Sequence, residues 1–330
     1  MSNVSTANLS SMRSLDDALI TVFGGGGFVG NYVVQSLLSQ GARVRIASRN
    51  PSSGFALKPL ANLGQLQFAH CDITREDSLR AALHEATHVV NLVGGFDGDL
   101  TQLMGEAPGR MAAIAQENGA AAFVHMSAIG PDAESSAEYA RAKAFGEANV
   151  LAAFPGATIL RPSIVFGKDD GFLNMFAGMI EMMPALPVFG PDAKLQLVYV
   201  DDVADAVTAT LADPALHGGK TFELGGPEEL TMMQINERIA AAQGRNRRFI
   251  AMPDGLSGLF ASLPGTPMSK DQWTLLKPGS TVSDDAFTFA DLGITPRPLG
   301  LFLDKWMTRY RKFGRFGLSN ERTKRRAQGA

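Results

Sequence analysis

One cysteine, Cys71, stands in 330 residues, which excludes an intrachain disulfide and any cysteine-based metal cluster. That scarcity fits a reducing compartment. No stretch approaches 18 consecutive apolar residues, so no transmembrane helix is expected. The opening "MSNVSTANLSSMRSLDDAL" lacks an apolar signal core and holds one Arg against two Asp, a poor organellar presequence; a disordered start over residues 1–17 is expected. A positive excess is missing too: the net charge of −3 argues against nucleic acid as a partner. The balance is uneven, because residues 301–330 carry nine Lys/Arg against Asp304 and Glu321, a net of +7 that leaves −10 for the rest.

What is present is alternation. "ALITVFG", "RVRIASR", "QLQFAHCD", "THVVNLVGG", "AAFVHMS" and "ATILRPSIVFG" read as six strands, with helical periods over 28–40 and near 76–84, 102–118 and 135–153. Strand–helix alternation predicts an α/β fold, a Rossmann-type doubly wound parallel sheet, with the loops that follow strands along one ligand-binding edge. The nucleotide-binding domain is expected over 18–165, its sheet completed by later segments. A smaller C-terminal lobe, interleaved with that core, is expected over 166–300. There "GFLNMFAGMIEMMPALPVFG" reads either as a helix over an apolar pocket or as a core helix with Met as filler.

"TVFGGGGFVG" contains two overlapping fingerprints. Gly25, Gly27 and Gly30 spell G-x-G-x-x-G; Gly24, Gly27 and Gly30 spell G-x-x-G-x-x-G. Both place Gly27, Phe28, Val29 and Gly30 at a helix N-terminus, where free N–H groups and the helix dipole favour a pyrophosphate. Following a strand and opening a helix, the run signals a dinucleotide site. The second strand ends in Ser48 and Arg49, where an NAD site normally has a carboxylate. A guanidinium cannot accept bonds from ribose hydroxyls but pairs with a 2′-phosphate, so NADP(H) is favoured and NAD(H) is the alternative. Asp72 and Ile73 follow the third strand, where the carboxylate either meets an adenine amino group or caps the next helix. In "SAEYARAKAFGE", Tyr139 and Lys143 lie four apart on one helical face, and Ser127 ends the fifth strand twelve residues earlier. An ammonium beside a phenol favours phenolate, which makes Tyr139 a candidate general acid/base, Lys143 its tuner and Ser127 the group that orients a substrate carbonyl.

G-x-x-G-x-x-G, D-I after strand three, and Y-x-x-x-K with an upstream Ser resemble the short-chain dehydrogenase/reductase superfamily, in its extended or atypical branch. The resemblance spans roughly residues 18–245 and selects Gly24, Gly27 and Gly30. Val93, Gly94, Arg161 and Pro162 complete the expected cofactor set, and no metal ligands are expected. The stretch from "VHMSAIG" to "FLNMFA" is similar to the branch of NADPH-carrying accessory subunits of respiratory complex I (the alpha-subcomplex nine type) and its alphaproteobacterial relatives. That branch implies a tightly held structural nucleotide, respiratory-complex subunits as partners, ubiquinone respiration as context, and a place on the bacterial inner membrane's cytoplasmic face or the mitochondrial matrix side. Turnover stays open, since the Ser/Tyr/Lys set is intact. The rival implication is a catalytic reductase, epimerase or dehydratase acting on a nucleotide sugar or ubiquinone precursor. One departure bears on this: where the extended branch often has Asn or His early in the fourth helix, this chain has Met104. Finally, "LFLDKWMTRYRKFGRF" interleaves Phe302, Trp306, Tyr310 and Phe313 with basic residues. This basic amphipathic tail, 301–330, either docks on an anionic membrane surface or acidic partner, or packs on its own domain.

Overall fold

The computed structural model describes residues 15, 16, 18–255 and 269–314. Two compact units share the chain. The first holds the described residues up to Ser163, then Val200–Gly225 and Val282–Pro296; the second holds Ile164–Tyr199, the described parts of Gly226–Thr281, and the described residues from Arg297 on.

In the first unit, β1 (Leu19–Phe23), α1 (Phe28–Ser39), β2 (Arg43–Ser48), a 3-10 segment (Pro51–Leu60), β3 (Leu66–His70), α2 (Glu76–Leu83) and β4 (His88–Asn91) are followed by a π-helical turn (Thr101–Glu106) that runs into α3 (Ala107–Glu117). Then come β5 (Ala122–Met126), α4 (Glu138–Ala153) and β6 (Thr158–Pro162). Every residue of β1 and β5 is buried, as a strand covered on both faces requires. The expected sixth strand divides at Ser163, and its last part, β7 (Val165–Phe166), belongs to the second unit, which also holds α5 (Gly171–Met182), β8 (Ala185–Val188), β9 (Lys194–Leu195) and β10 (Val198–Tyr199). The chain returns to the first unit with α6 (Val200–Ala212), α7 (Pro214–His217) and β11 (Thr221–Leu224). The second unit adds β12 (Leu230–Thr231), α8 (Met232–Ala242), β13 (Arg248–Ala251), α9 (Lys270–Leu276) and α10 (Gly300–Trp306).

The main sheet is seven-stranded and parallel, in the order β11-β6-β5-β4-β1-β2-β3. Chain order reverses between β1 and β4, and ligands of such sheets bind in the crevice beyond the carboxyl ends at that point. The later segments that join the sheet unit are 200–225 and 282–296, the second through a bridge of Phe287 to Phe222. β11 pairs with β6 in register, and α6 packs on α1, where Ser36 Oγ and Thr208 Oγ1 are 2.9 Å apart.

In the second unit, α5 is a core helix that buries Leu173, Ala177 and Ile180; Asp170 caps it, accepting from Leu173 N at 2.6 Å. The described aromatic residues of the tail follow the second of its two expected arrangements, packing on their own unit. Phe302 stacks on Tyr199 (centroids 4.1 Å apart) and on Trp306 (5.0 Å), while Tyr310 Oη donates to Asn174 at 2.8 Å. Residues 300–312 therefore pack on their own unit and are no free tail, with Phe313 left exposed. Residues 315–330, with most of the expected basic end, and the expected disordered start, apart from residues 15 and 16, lie outside the described residues.

Candidate nucleotide site at the β1–β4 crossover

β1 ends in a turn that only glycine makes cheaply. Gly24 has φ +78°, and a Cβ there would stand 3.3 Å from the backbone of Leu92. Gly25 is not in that region. The turn thus belongs to Gly24, as the G-x-x-G-x-x-G reading requires. Gly27 N donates to Gly24 O at 3.0 Å, and Gly27 is the N-cap of α1, where no side chain bonds to the first turn. The amides of Phe28, Val29 and Gly30 are left without a side-chain cap, a ready anion site. A Cβ on Gly30 would run into Gly24 O and stand 2.7 Å from Gly25 Cα, so helix and turn touch backbone to backbone. A neighbour missed in the sequence closes over the loop: a Cβ on Gly26 would collide with Ser53 Oγ, from the 3-10 segment.

Where the adenosine is expected, Ser48 Oγ accepts from Asn50 N at 3.1 Å, so that hydroxyl serves the local turn. Arg49 is exposed, and its guanidinium makes no hydrogen bond among the described residues. Asp72 Oδ1 accepts from Thr74 N (3.0 Å) and Thr74 Oγ1 (2.8 Å). These bonds, the backbone one foremost, hold its carboxyl below the usual range, with the charges of Arg49 and Arg75 adding to the effect. Asp72 closes an Asx turn; the N-cap of α2 is Arg75. Ile73 turns into the core beside Leu79.

Where the nicotinamide is expected, Lys143 is buried and its Nζ donates to Met126 O at 2.9 Å, one residue before Ser127. Ser127 Oγ is buried without a hydrogen-bond partner among the described residues. Gly94 lies against the same ammonium: an added Cβ would stand 3.3 Å from Nζ. Val93 N donates to Asn91 Oδ1 at 3.1 Å. The expected lowering of the Tyr139 pKa is reversed, because burial pushes the phenol up to about 12. Lys143 is itself pushed down to about 8 by burial, partly countered by Glu147, and its Nζ is 5.8 Å from the Tyr139 ring centroid. Desolvation thus outweighs the ion–phenol attraction at both groups. Tyr139 packs beside Leu100, Leu103, Met104 and Ala142, and stacks on Phe96 with centroids 4.6 Å apart and planes 22° from parallel.

Two polar groups escaped the sequence reading. Asn91 and His125, paired in register on β4 and β5, are fully buried, with Asn91 Nδ2 and His125 Nδ1 3.1 Å apart. Burial holds His125 neutral, its pKa pushed down to about 3. A polar residue inside each of two apolar strands, "HVVN" and "AFVHM", was the available signal. Arg161, named in the expected cofactor set, has its guanidinium in ion pairs within the sheet unit. Arg161 binds Glu147 (2.6 and 3.0 Å) and Glu223 (3.5 Å). Pro162 contributes its carbonyl, which accepts from Ile129 N at 3.1 Å.

Residues 20–225 match the model of the NAD dependent epimerase/dehydratase family. The chain belongs to this family. Within it, the chain is 32% identical over 325 residues to "NADH dehydrogenase [ubiquinone] 1 alpha subcomplex subunit 9, mitochondrial" of Arabidopsis thaliana, covering 91% of this chain and 80% of the relative. The protein of that name in Mus musculus is also 32% identical, at 94% and 85% coverage. Among solved structures, an NADPH-dependent quinone oxidoreductase of Escherichia coli complexed with NADPH shares the fold, with TM-score 0.71 and 18% identity over 88% of this chain and 99% of that one.

This epimerase/dehydratase family member has the parts an NAD(P) nucleotide needs. A cradle that Cβ atoms would fill lies at Gly24 and Gly30, and the helix N-terminus is uncapped. An unpartnered buried hydroxyl, Ser127 Oγ, follows directly on Met126, whose carbonyl Lys143 bonds.

Proposed function

We propose that the chain is an NADP(H)-holding accessory subunit or assembly factor of a membrane NADH:quinone oxidoreductase, respiratory complex I. It sits peripherally on the bacterial inner membrane or, in a mitochondrion, on the matrix side. The observation that carries this reading is the 32% identity to alpha subcomplex subunit 9, which extends over nine tenths of the chain and so takes in both units. Gly24, Gly27 and Gly30 would hold the pyrophosphate, Arg49 the 2′-phosphate, Asp72 the adenine, and Tyr139 with Lys143 the nicotinamide ribose. The exposed Arg49, free of hydrogen bonds among the described residues, supports NADP(H) over NAD(H). No helix among the described residues is long and apolar enough to cross a membrane, and peripheral docking needs none.

A second reading is a reductase, epimerase or dehydratase of this family acting on a nucleotide sugar or quinone precursor. The observation in its favour is that Ser127, Tyr139 and Lys143 are all present, with Lys143 bonded to the carbonyl next to Ser127. A bound nucleotide supplies hydride chemistry; Tyr139 would move the substrate proton and Ser127 would orient the carbonyl. The apolar surroundings of Tyr139 favour the non-catalytic reading.

The test is to purify the full chain, denature it and identify what is released, and in parallel to capture it from detergent-solubilised membranes. Stoichiometric NADP(H), with respiratory-complex subunits co-purifying, is the expected result. No nucleotide, or capture without those subunits, would overturn it.

A further inference from the structure

The loop between β4 and the π-helical turn, residues 92–100, reaches both members of the Tyr–Lys pair. Phe96 stacks on the face of Tyr139, while the backbone of Gly94 lies against the Lys143 ammonium. The position a Cβ of Gly94 would take is also 3.8 Å from Met104 Sδ, so Met104 closes the same corner. Phe96 is 47% exposed, too wet to be explained as a core residue. Glycines flank it: Gly94 and Gly95 before, and Gly98, at φ +87°, after. Downstream the loop is fastened by Asp99, whose carboxylate accepts from Gln102 N and whose carbonyl accepts from Leu103 N, both at 2.9 Å. A short segment with pliable flanks and one fixed end thus presents an aromatic ring to the tyrosine of the site.

We propose that Phe96 is a positioning residue which, with Gly94 and Met104, clamps Tyr139 and Lys143 and sets how long the nicotinamide half of a bound nucleotide stays. The proposal rests on the nucleotide reading above. A ring over the face of Tyr139 fixes the plane of the phenol and so the direction of its hydroxyl. Glycine at 94 lets the loop backbone approach the ammonium without displacing it. Release of a ribose held by both side chains then requires the loop to lift. Differences of this kind appear in the dissociation rate more than in association.

The full chain, loaded with NADPH, is chased with excess NADP⁺ while nicotinamide fluorescence is followed. Phe96→Ala is expected to release NADPH about tenfold faster than wild type, equivalent to ~1.4 kcal/mol. Phe96→Tyr, which keeps the stacked ring, should stay within about twofold, as aromatic stacking predicts. Adenosine 2′,5′-bisphosphate, a probe of the other half of the site, should bind all three proteins equally. Release from Phe96→Ala at the wild-type rate would overturn the clamp. So would a parallel loss of bisphosphate affinity, which marks general loosening. A wild-type chain that binds the bisphosphate and NADPH but shows no effect of Phe96 leaves the nucleotide reading standing. One that binds neither brings down both.

Discussion

Arg49 stands in solvent at the end of β2, whereas Lys143, the other cation of the site, is 3% exposed and bonded to a backbone carbonyl. The contrast runs through the whole crevice. The proposed adenosine half joins an exposed guanidinium to a carboxylate, Asp72, that local hydrogen bonds keep ionised. The proposed nicotinamide half is made of buried groups, a stacked tyrosine and apolar neighbours. Exposed charge selects a phosphate at low desolvation cost and yields to salt. Buried polar groups hold a geometry and resist any change of charge. Under the proposed function, the exposed end would choose the nucleotide and the buried end would keep it still.

The comparison breaks most completely at the backbone both halves share. Gly30→Val would drive a side chain into Gly24 O and Gly25, which cannot retreat without opening the turn. We expect a loss of roughly 3 kcal/mol of stability, at the upper end for overpacking, and no detectable nucleotide binding. Thermal unfolding with and without NADPH checks both, and a stable variant that still gains stability from NADPH would contradict the role given to the turn.

Acid should separate the halves next. The folded pKa of His125, about 3, lies below the ordinary 6.5 because burial opposes its charge. Between those values the unfolded chain binds a proton that the folded chain refuses, so stability falls as pH drops from about 6.5 toward 3. At pH 4.5 this one group should cost ~2.5 kcal/mol. His125→Asn removes the titration while keeping a polar partner for Asn91. The stability difference between wild type and variant, followed by urea unfolding, should therefore shift toward the variant by that amount between pH 7 and pH 4.5. A difference independent of pH would show that His125 titrates normally.

Arg49→Ser addresses the exposed half alone. NADPH affinity should fall about 10- to 30-fold, or ~1.5–2 kcal/mol, as expected for a charge-assisted contact, while NADH affinity stays within about twofold. Raising salt should shrink the gap between the two proteins. Equal losses for both nucleotides would mean that Arg49 does not read the 2′-phosphate.

The same contrast explains what the sequence made legible. Gly24, Gly27 and Gly30 and the Tyr139–Lys143 pair are local patterns, set by one turn and one helical face, and could be read directly. The adenosine half is almost entirely of this kind. The Asn91–His125 pair, the stacking of Phe96 and the ion pairs of Arg161 depend on which strands become neighbours. Glu223 meets Arg161 only because β11 pairs with β6, 62 residues away. Apolar spacing reveals that such strands are buried but not their order or register. The direction of the Tyr139 shift failed for a related reason: the lysine was visible, and the apolar neighbours from the loop and the π-helical turn that outweigh it were not.

Tyr139→Phe should have the smallest effect and says most about the buried half. With its pKa pushed up to about 12, the phenol stays protonated at physiological pH and acts as a hydrogen-bond donor. Removing one donor hydroxyl while the ring, the Phe96 stack and the packing on Met104 remain should weaken NADPH binding about two- to fivefold, the net worth of an ordinary hydrogen bond. A proton-transfer role predicts something else: a large drop in turnover with affinity little changed, since losing a general acid/base commonly costs about 10²–10⁴-fold in rate. Growth under respiratory conditions and assembly of the membrane complex should therefore survive Tyr139→Phe but fail with Gly30→Val. If the tyrosine variant alone abolished them while NADPH still bound, the buried half would be a catalytic centre, and the division between a selecting end and a holding end would be wrong.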